Sequence, residues 1–310
     1  MRLARGINRP TDTACFFVRR NGAIVDSHEF HKIWVVESLR DGDLKTGTRL
    51  AEAQLSIARS RYENLEVAHR RPPSKAELMK DLETIRDEAL FQGIYPFIHF
   101  DCHGDPDGLQ TANRDHITWE ELRLLLIQIN HACRCNLVIV IAACNGINLI
   151  KCCTKLDRAP FYAAIGPETE VKAGKIERDL QAFYSKFFED LNGDDAVRAL
   201  NDGREGSERT YHFRSSCGIF NRAYRTYYND NCIGRGKAAR REYLLTKIAE
   251  NPQTKERGFR WIRLMIKKAL SDEDEYFIEK RDRFFFSDKF PENKYRFDFA
   301  LSDVLQQANY

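Results

Sequence analysis

The chain has 310 residues, 43% apolar and 31% charged, with 20 Phe, 12 Tyr and 3 Trp, enough for one large folded domain or two small ones and not a disordered chain. A net charge of +3 does not mark the whole chain as a nucleic-acid binder. The longest apolar run, residues 137–144, is far short of the ~20 residues that cross a bilayer, which argues against a membrane span.

The elements read in chain order begin with a hairpin. Residues 15–20 and 23–28 flank Asn21-Gly22, a strong two-residue turn signal. From residue 33 strands alternate with helices. Ile33-Trp-Val-Val36 is a buried-strand run, 48–61 reads as one helix, and 65–69 reads as a weaker strand. Ser74-Lys-Ala-Glu77 is a capping box opening a helix that Gly93 ends. A strand follows at 94–100, then a turn over 101–108. Thr118-Trp-Glu-Glu121 caps a second helix, which runs to about His131. Residues 137–143 form the clearest buried strand, and 161–166 form another. Helices are expected at 175–191 and 194–201, and a last strand at 210–213.

Strands alternating with helices of this length predict parallel crossovers and a three-layer α/β sandwich with a mostly parallel central sheet. Beyond it, 235–270 reads as two helices split near Asn251-Pro252. The final forty residues are rich in aromatics and charge, without a clear period. The expected organisation is an N-terminal hairpin segment (1–30), an α/β domain (31–234), and a basic helical, aromatic-rich extension (235–310) packed on that domain.

Open α/β sheets place their sites just past the carboxyl ends of strands. Two strand ends here carry reactive residues, Asp101-Cys-His103-Gly104 and Ala142-Ala-Cys144-Asn-Gly146. His103 and Cys144 are 41 residues apart, the length of one strand-loop-helix-strand crossover, so they are expected side by side. A free thiol is mostly protonated at neutral pH. A nearby imidazole lets it react as thiolate and can return a proton to a leaving amine. Gly104 lets the backbone approach a substrate carbonyl, and the N–H groups of Gly104 and Cys144 are candidate oxyanion donors.

Residues 97–109, 117–122 and 137–146 resemble CHAT-type, caspase-like bacterial cysteine proteases of the caspase–separase–gingipain clan. Ala163-Ala-Ile-Gly-Pro-Glu168 and Gln181-Ala-Phe-Tyr184 fall where that family has its next strand and helix, so the likeness covers roughly 30–202. The resemblance implies a caspase-like fold, His103 as general base or acid, Cys144 as nucleophile, a protein substrate, and no metal or cofactor. It also implies a role in bacterial stress or antiviral defence, gated by a regulatory partner or by proteolysis. Arg/Lys-specific relatives carry Asp two residues before the nucleophile, where this chain has Ala142. Carboxylates that would still favour a basic P1 residue are Asp101, which shares strand parity with His103, and Glu168 and Glu170 in the loop after 161–166.

Other features rank below this pair. Cys102 adjoins His103 but alternates to the opposite face. Cys133, Cys135, Cys152 and Cys153 have the wrong spacing for a structural zinc site. Nine cysteines, an odd number, and the lack of an apolar stretch in residues 1–10 suggest reduced thiols in a cytoplasmic protein. The stretch 235–270 holds 11 Lys/Arg against 3 Glu and is the one place where nucleic acid, an acidic partner or a membrane surface would bind. Its apolar face is expected to hold Ile262, Met265, Ile266, Ala269 and Leu270. The polar stretch 201–216 is a candidate mobile activation loop. Two rival readings are a catalytically silent caspase-like module that binds partners through its basic surface, and a flavodoxin-like regulatory domain in which the His and Cys are incidental.

Overall fold

The computed structural model describes residues 14–20, 23–153, 156–204, 209–250, 254, 258–270 and 273–306. The chain divides into two compact units, residues 1–154 with 159–216, and 155–158 with 217–310.

In the first unit, β1 (Ala14–Arg20) and β2 (Ala23–Phe30) form the expected antiparallel hairpin. The turn residues Asn21 and Gly22 lie outside the described residues. Then come β3 (Lys32–Ser38), α1 (Thr46–Glu52), α2 (Gln54–Arg61), β4 (Glu66–Arg70), α3 (Lys75–Gln92) and β5 (Pro96–Asp105). The short strands β6 (Gly108–Gln110) and β7 (His116–Thr118) lead into α4 (Trp119–Ala132) and β8 (Val138–Ala142). A 3-10 helix (Gly146–Cys153) leads to β9 (Ala163–Pro167), α5 (Ala173–Asp190), α6 (Gly193–Leu200) and β10 (Tyr211–Ser215).

The main sheet runs β10-β9-β8-β5-β3-β4, parallel except for β10, which pairs antiparallel with β9. Helices flank it in two groups, α3 against α4, and α1 and α2 against α5, so the fold is mixed α/β with a mostly parallel central sheet. The apolar strand runs explain the burial: every residue of β8 and β9 is buried, as a parallel sheet covered on both faces requires. Phe97 and Phe100 of β5 are also buried, and Phe97 packs on Phe30, Tyr184 and Phe187.

Local signals explain the helix ends. The Ser74 hydroxyl accepts the Glu77 N–H, and Gly93 ends α3 at φ 70°. Thr118 and Glu121 close both halves of a capping box on α4. The single helix expected over 48–61 is broken at Ala53. Thr46 and Thr48 tie α1 to Asp101 and Glu37 at the sheet, while Arg61 and Tyr62 tie the end of α2 to the Phe188 carbonyl. The turn expected over 101–108 is mostly strand, because β5 continues to Asp105 by pairing with β6. Residues 205–208 of the expected activation loop lie outside the described residues, and 211–215 are strand β10 rather than loop.

The second unit is helical: α7 (Ser216–Asn231, whose first residue belongs to the first unit), α8 (Gly234–Glu250), α9 (Gly258–Ala269), α10 (Glu273–Phe284), α11 (Asn293–Arg296) and α12 (Leu301–Gln306). Its long segment starts at Cys217, ahead of the expected 235, because α7 belongs to its aromatic core. Phe220 packs on Phe277, Phe284, Phe285 and Phe299, and Tyr224 packs on Phe277. A smaller core joins α8 to α9 through Leu245, Ile262, Ile266 and Leu270. Met265, expected inward with these, is 45% exposed. Among the described residues no helix is long and apolar enough to cross a membrane.

Candidate active site

The direction of the chain reverses at β3. The connection through α1 and α2 goes one way to β4, and the connection through α3 goes the other way to β5. By the rule for open α/β sheets, a site is expected at the carboxyl ends of β3 and β5, with β8 next in line. Each of the three strands delivers one polar side chain to this edge.

From β5 comes His103. Asp101 is in register with Ala142 of β8, so two residues further on His103 lies level with Cys144. The two segments touch at Gly104, where a Cβ would stand 2.5 Å from the Cys144 carbonyl oxygen and 2.9 Å from the Ala143 Cβ. Only glycine permits that approach.

From β3 comes Asp43, which sequence reasoning missed. His103 Nε2 and the Asp43 Oδ2 are 2.7 Å apart, and the Arg40 N–H donates to the same oxygen at 2.9 Å. Burial alone would raise the Asp43 carboxyl. The hydrogen bonds from His103 and from the Arg40 N–H outweigh it and hold the group below the usual carboxylate range. An ionised carboxylate only accepts, so Nε2 is the donor in this bond. The sequence signal was there: Asp41-Gly-Asp43 follows a buried strand, at a third strand end.

From β8 comes Cys144, part exposed. Asn145 turns the chain sharply at φ 57°, and its N–H donates to the Thr169 carbonyl at 3.2 Å. The thiol faces the loop after β9. The Val171 N–H donates to Sγ at 3.4 Å, and Sγ lies 3.7 Å from the Val171 carbonyl oxygen. No hydrogen bond joins Cys144 to His103. The imidazole is held on the β3 side of the edge and the thiol on the β9 side.

The expected substrate carboxylates separate. Asp101 is 2% exposed, and its carboxylate accepts from the Thr46 hydroxyl at 2.5 Å and from the Gly47 N–H. A Cβ on Gly47 would stand 2.9 Å from that carboxylate, which is why glycine follows Thr46. Burial pushes Asp101 up to about 7, despite these two donors. Its strand parity with His103 holds, since both side chains point to the segment after β3. What Asp101 meets there is the start of α1, not solvent. Glu168 is exposed and pairs with His212 at 2.9 Å, and Glu170 is exposed. Both sit in the loop that carries Val171.

A buried polar layer supports the edge. Glu37, beside Asp101 on β3, accepts from the Thr48 N–H and hydroxyl and lies 3.2 Å from His69 Nε2. Burial would raise it, but the hydrogen bonds from His69 and Thr48 prevail and hold it at about 2. Glu37 and Asp101 thus pin both Thr46 and Thr48, fixing the helix that follows the Asp43 turn. The Cys102 thiol is 4% exposed and pushed upward by burial. Cys152 is pushed up to about 12, by burial first.

No family model matches the chain, and no curated protein sequence matches it. Its fold is similar to solved caspase structures. The Drosophila initiator caspase Dronc aligns over 70% of this chain and 94% of its own, at 11% identity and a TM-score of 0.45. Caspase-1 from Spodoptera frugiperda aligns over 69% of this chain and 94% of its own, at 13% identity and a TM-score of 0.43.

Proposed function

We propose that this protein is a cysteine endopeptidase in which Cys144 is the nucleophile, His103 the general base and acid, and Asp43 the group that orients His103. The observation that carries the reading is the Asp43–His103 pair, held level with a part-exposed cysteine at the switch-point edge of the sheet.

The chemistry follows from the geometry. His103 Nδ1 takes the thiol proton, and the thiolate attacks a peptide carbonyl carbon. The carbonyl π pair moves to oxygen, where the N–H groups of Gly104 and Cys144 are the proposed donors; one such donor is worth about 3 kcal/mol of barrier. The intermediate collapses, the C–N bond breaks, and the amine leaves with the proton from His103. Water, deprotonated by the same imidazole, then attacks the thioester, releases the acid and restores the thiol.

The thiol's contact with Val171 supports a gated enzyme, since a substrate carbonyl must displace that loop to reach Sγ. Glu168 and Glu170 on the same loop support a basic P1 residue, by charge-assisted contact with Arg or Lys. The buried Asp101 acts behind the site, through Thr46 and Gly47. The motif resemblance supports CHAT-type membership, a protein substrate, a regulatory partner and a cytoplasmic role in bacterial stress or antiviral defence.

A second reading has one observation in its favour. Thiol and imidazole each bond elsewhere, as a silent binding module would allow. Exposure to a peptidyl electrophile separates the two. The enzyme is modified at Cys144 in a His103-dependent way, and the silent module is not modified.

A further inference from the structure

Two neighbouring helices of the second unit use their charge differently. α8 carries five bases, Arg235, Lys237, Arg240, Arg241 and Lys247, and four of them are engaged. Lys237 pairs with Glu273 at 2.6 Å, and Arg240 lies 5.3 Å from the rings of both Tyr227 and Tyr276. Arg241 and Lys247 face Glu242 and Glu250 at 3.7 and 3.5 Å. α9 has four bases, Arg260, Arg263, Lys267 and Lys268, and no acidic residue. Arg260, Arg263 and Lys267 are exposed and make no side-chain hydrogen bond or ion pair among the described residues. The flanking residues 255–257 and 271–272 add two bases, Lys255 and Arg257, and two acids, Glu256 and Asp272, so the excess of four bases stands.

The same helix carries more apolar surface than its core uses. Ile262, Ile266 and Leu270 form that core with Leu245 of α8. At about 3.6 residues per turn, the arc opposite Ile262 and Ile266 is centred on Leu264. Arg260 and Lys267 flank Leu264 on one side, and Lys268 and then Met265 flank it on the other. Leu264 is 60% exposed, Met265 is exposed, and Phe259 in the opening turn is 67% exposed. The outward face of α9 is therefore apolar at its centre and basic on both sides, where a helix that only covers a core would be polar throughout.

We propose that α9 docks this protein on the surface of an anionic phospholipid bilayer, with the helix lying in the headgroup plane. Such a helix is held by burial of its apolar side chains together with attraction of its bases to anionic lipids. Leu264 and Met265 enter below the phosphates, and the long stems of Arg260, Arg263 and Lys267 carry their charged ends back up to them. α9 has 12 residues, against the ~20 that a span needs, so it lies on the bilayer and does not cross it.

The exposed apolar side chains decide between a lipid surface and the other polyanion that the bases could meet. A nucleic-acid backbone would set its phosphates on Arg260, Arg263 and Lys267, but it would bring charge and water against Leu264 at the centre of the contact. A bilayer offers phosphate and hydrocarbon at adjoining depths, which matches bases placed beside an exposed Leu and Met. This docking does not depend on any reaction at Cys144.

The test floats the full chain with vesicles of phosphatidylcholine alone and of phosphatidylcholine mixed equally with phosphatidylglycerol. The parent should bind the mixed vesicles at least tenfold more tightly than the neutral ones, and the binding should weaken as salt rises. Arg260→Gln, Arg263→Gln and Lys267→Gln combined should weaken it at least tenfold. Leu264→Gln should weaken it at least threefold, while Leu264→Phe binds as the parent does. All four positions lie outside the core between α8 and α9, so far-ultraviolet circular dichroism should match the parent in every variant. No binding to the mixed vesicles, equal binding to both kinds, or binding indifferent to the three charge substitutions overturns the proposal. Binding that needs the charges but is unchanged in Leu264→Gln overturns the seating of α9 in the headgroup plane. A short DNA duplex that binds more tightly than the mixed vesicles and displaces the chain from them would assign the face to nucleic acid and overturn the proposal as well.

Discussion

At the end where the chain approaches β8, Cys133 and Cys135 are fully buried beside Asn130. The Asn130 amide donates to the Ala159 carbonyl at 2.8 Å and to Cys135 Sγ at 3.7 Å, and its oxygen accepts the Leu137 N–H at 3.1 Å. Cys133 Sγ donates to the Asn130 carbonyl at 3.6 Å. At the end where the chain leaves β8, Cys144 is part exposed, its thiol is hydrogen-bonded with the Val171 backbone, and it lies level with an imidazole paired to a carboxylate. The same residue type at the two ends of one strand thus serves packing at one and, on the proposed reading, chemistry at the other. Exposure and charged neighbours decide which, since a thiol in apolar surroundings stays protonated and inert.

The largest effect expected from that contrast is on activity. Cys144→Ala should abolish peptide cleavage, and His103→Ala should lower it by about 10³-fold or more, with stability within about 1 kcal/mol of the parent in both. Cys133→Ala or Cys135→Ala, assayed per folded molecule, should cleave as the parent does. Loss of turnover in those variants at full folding would erase the distinction between the two ends. Asp43→Asn should cost roughly 10- to 100-fold in kcat, because the imidazole loses its fixed tautomer while nucleophile and base remain. An unchanged kcat would remove Asp43 from the site.

The packing end predicts the reverse pattern. Asn130→Ala strands the Leu137 N–H and the Ala159 carbonyl and should cost about 2–3 kcal/mol in denaturant unfolding. The Cys144 reaction of the remaining folded protein should be unaltered. A loss under about 0.5 kcal/mol would mean that the Asn130 network does not secure that end.

How much of this was legible in sequence differs along the strand. The unbroken apolar runs at 33–36 and 137–143 signal buried parallel strands, and the two reactive strand ends follow by counting. Asp43 was hidden because its partnership depends on strand order. Only the pairing of β3 beside β5 brings the turn after β3 against His103, and pairing order is a long-range property. Asp101 was half legible. Strand parity gives the direction of its side chain but not that Thr46 and Gly47 would cover it. The aromatic positions of α7 have no partner visible nearby in sequence, because Phe277, Phe284 and Phe299 are more than fifty residues away.

The smallest effect is a change of pH slope. Asp101 is raised to about 7 in the folded chain, above the ~3.9 of an unfolded aspartate. Folding therefore favours its protonated form. Its contribution to stability is full below about pH 4 and is lost as pH rises through about 7. Asp101→Asn removes that loss, so relative to the parent the variant should gain stability between pH 5 and pH 8 in urea unfolding. A parent-to-variant difference that is the same at both pH values would contradict the protonated carboxyl behind the site.

The central claim is that Cys144 is a nucleophile activated by His103. The most direct measurement is intact-mass analysis with peptide mapping after exposure of the native protein to a peptidyl acyloxymethyl ketone bearing Arg or Lys at P1. The account predicts one adduct per chain, on Cys144, much slowed in His103→Ala. Cys102, Cys133, Cys135 and Cys152 should stay unmodified until the protein is unfolded. An adduct on a different cysteine with Cys144 untouched, or a Cys144 adduct formed equally fast in His103→Ala, would contradict it.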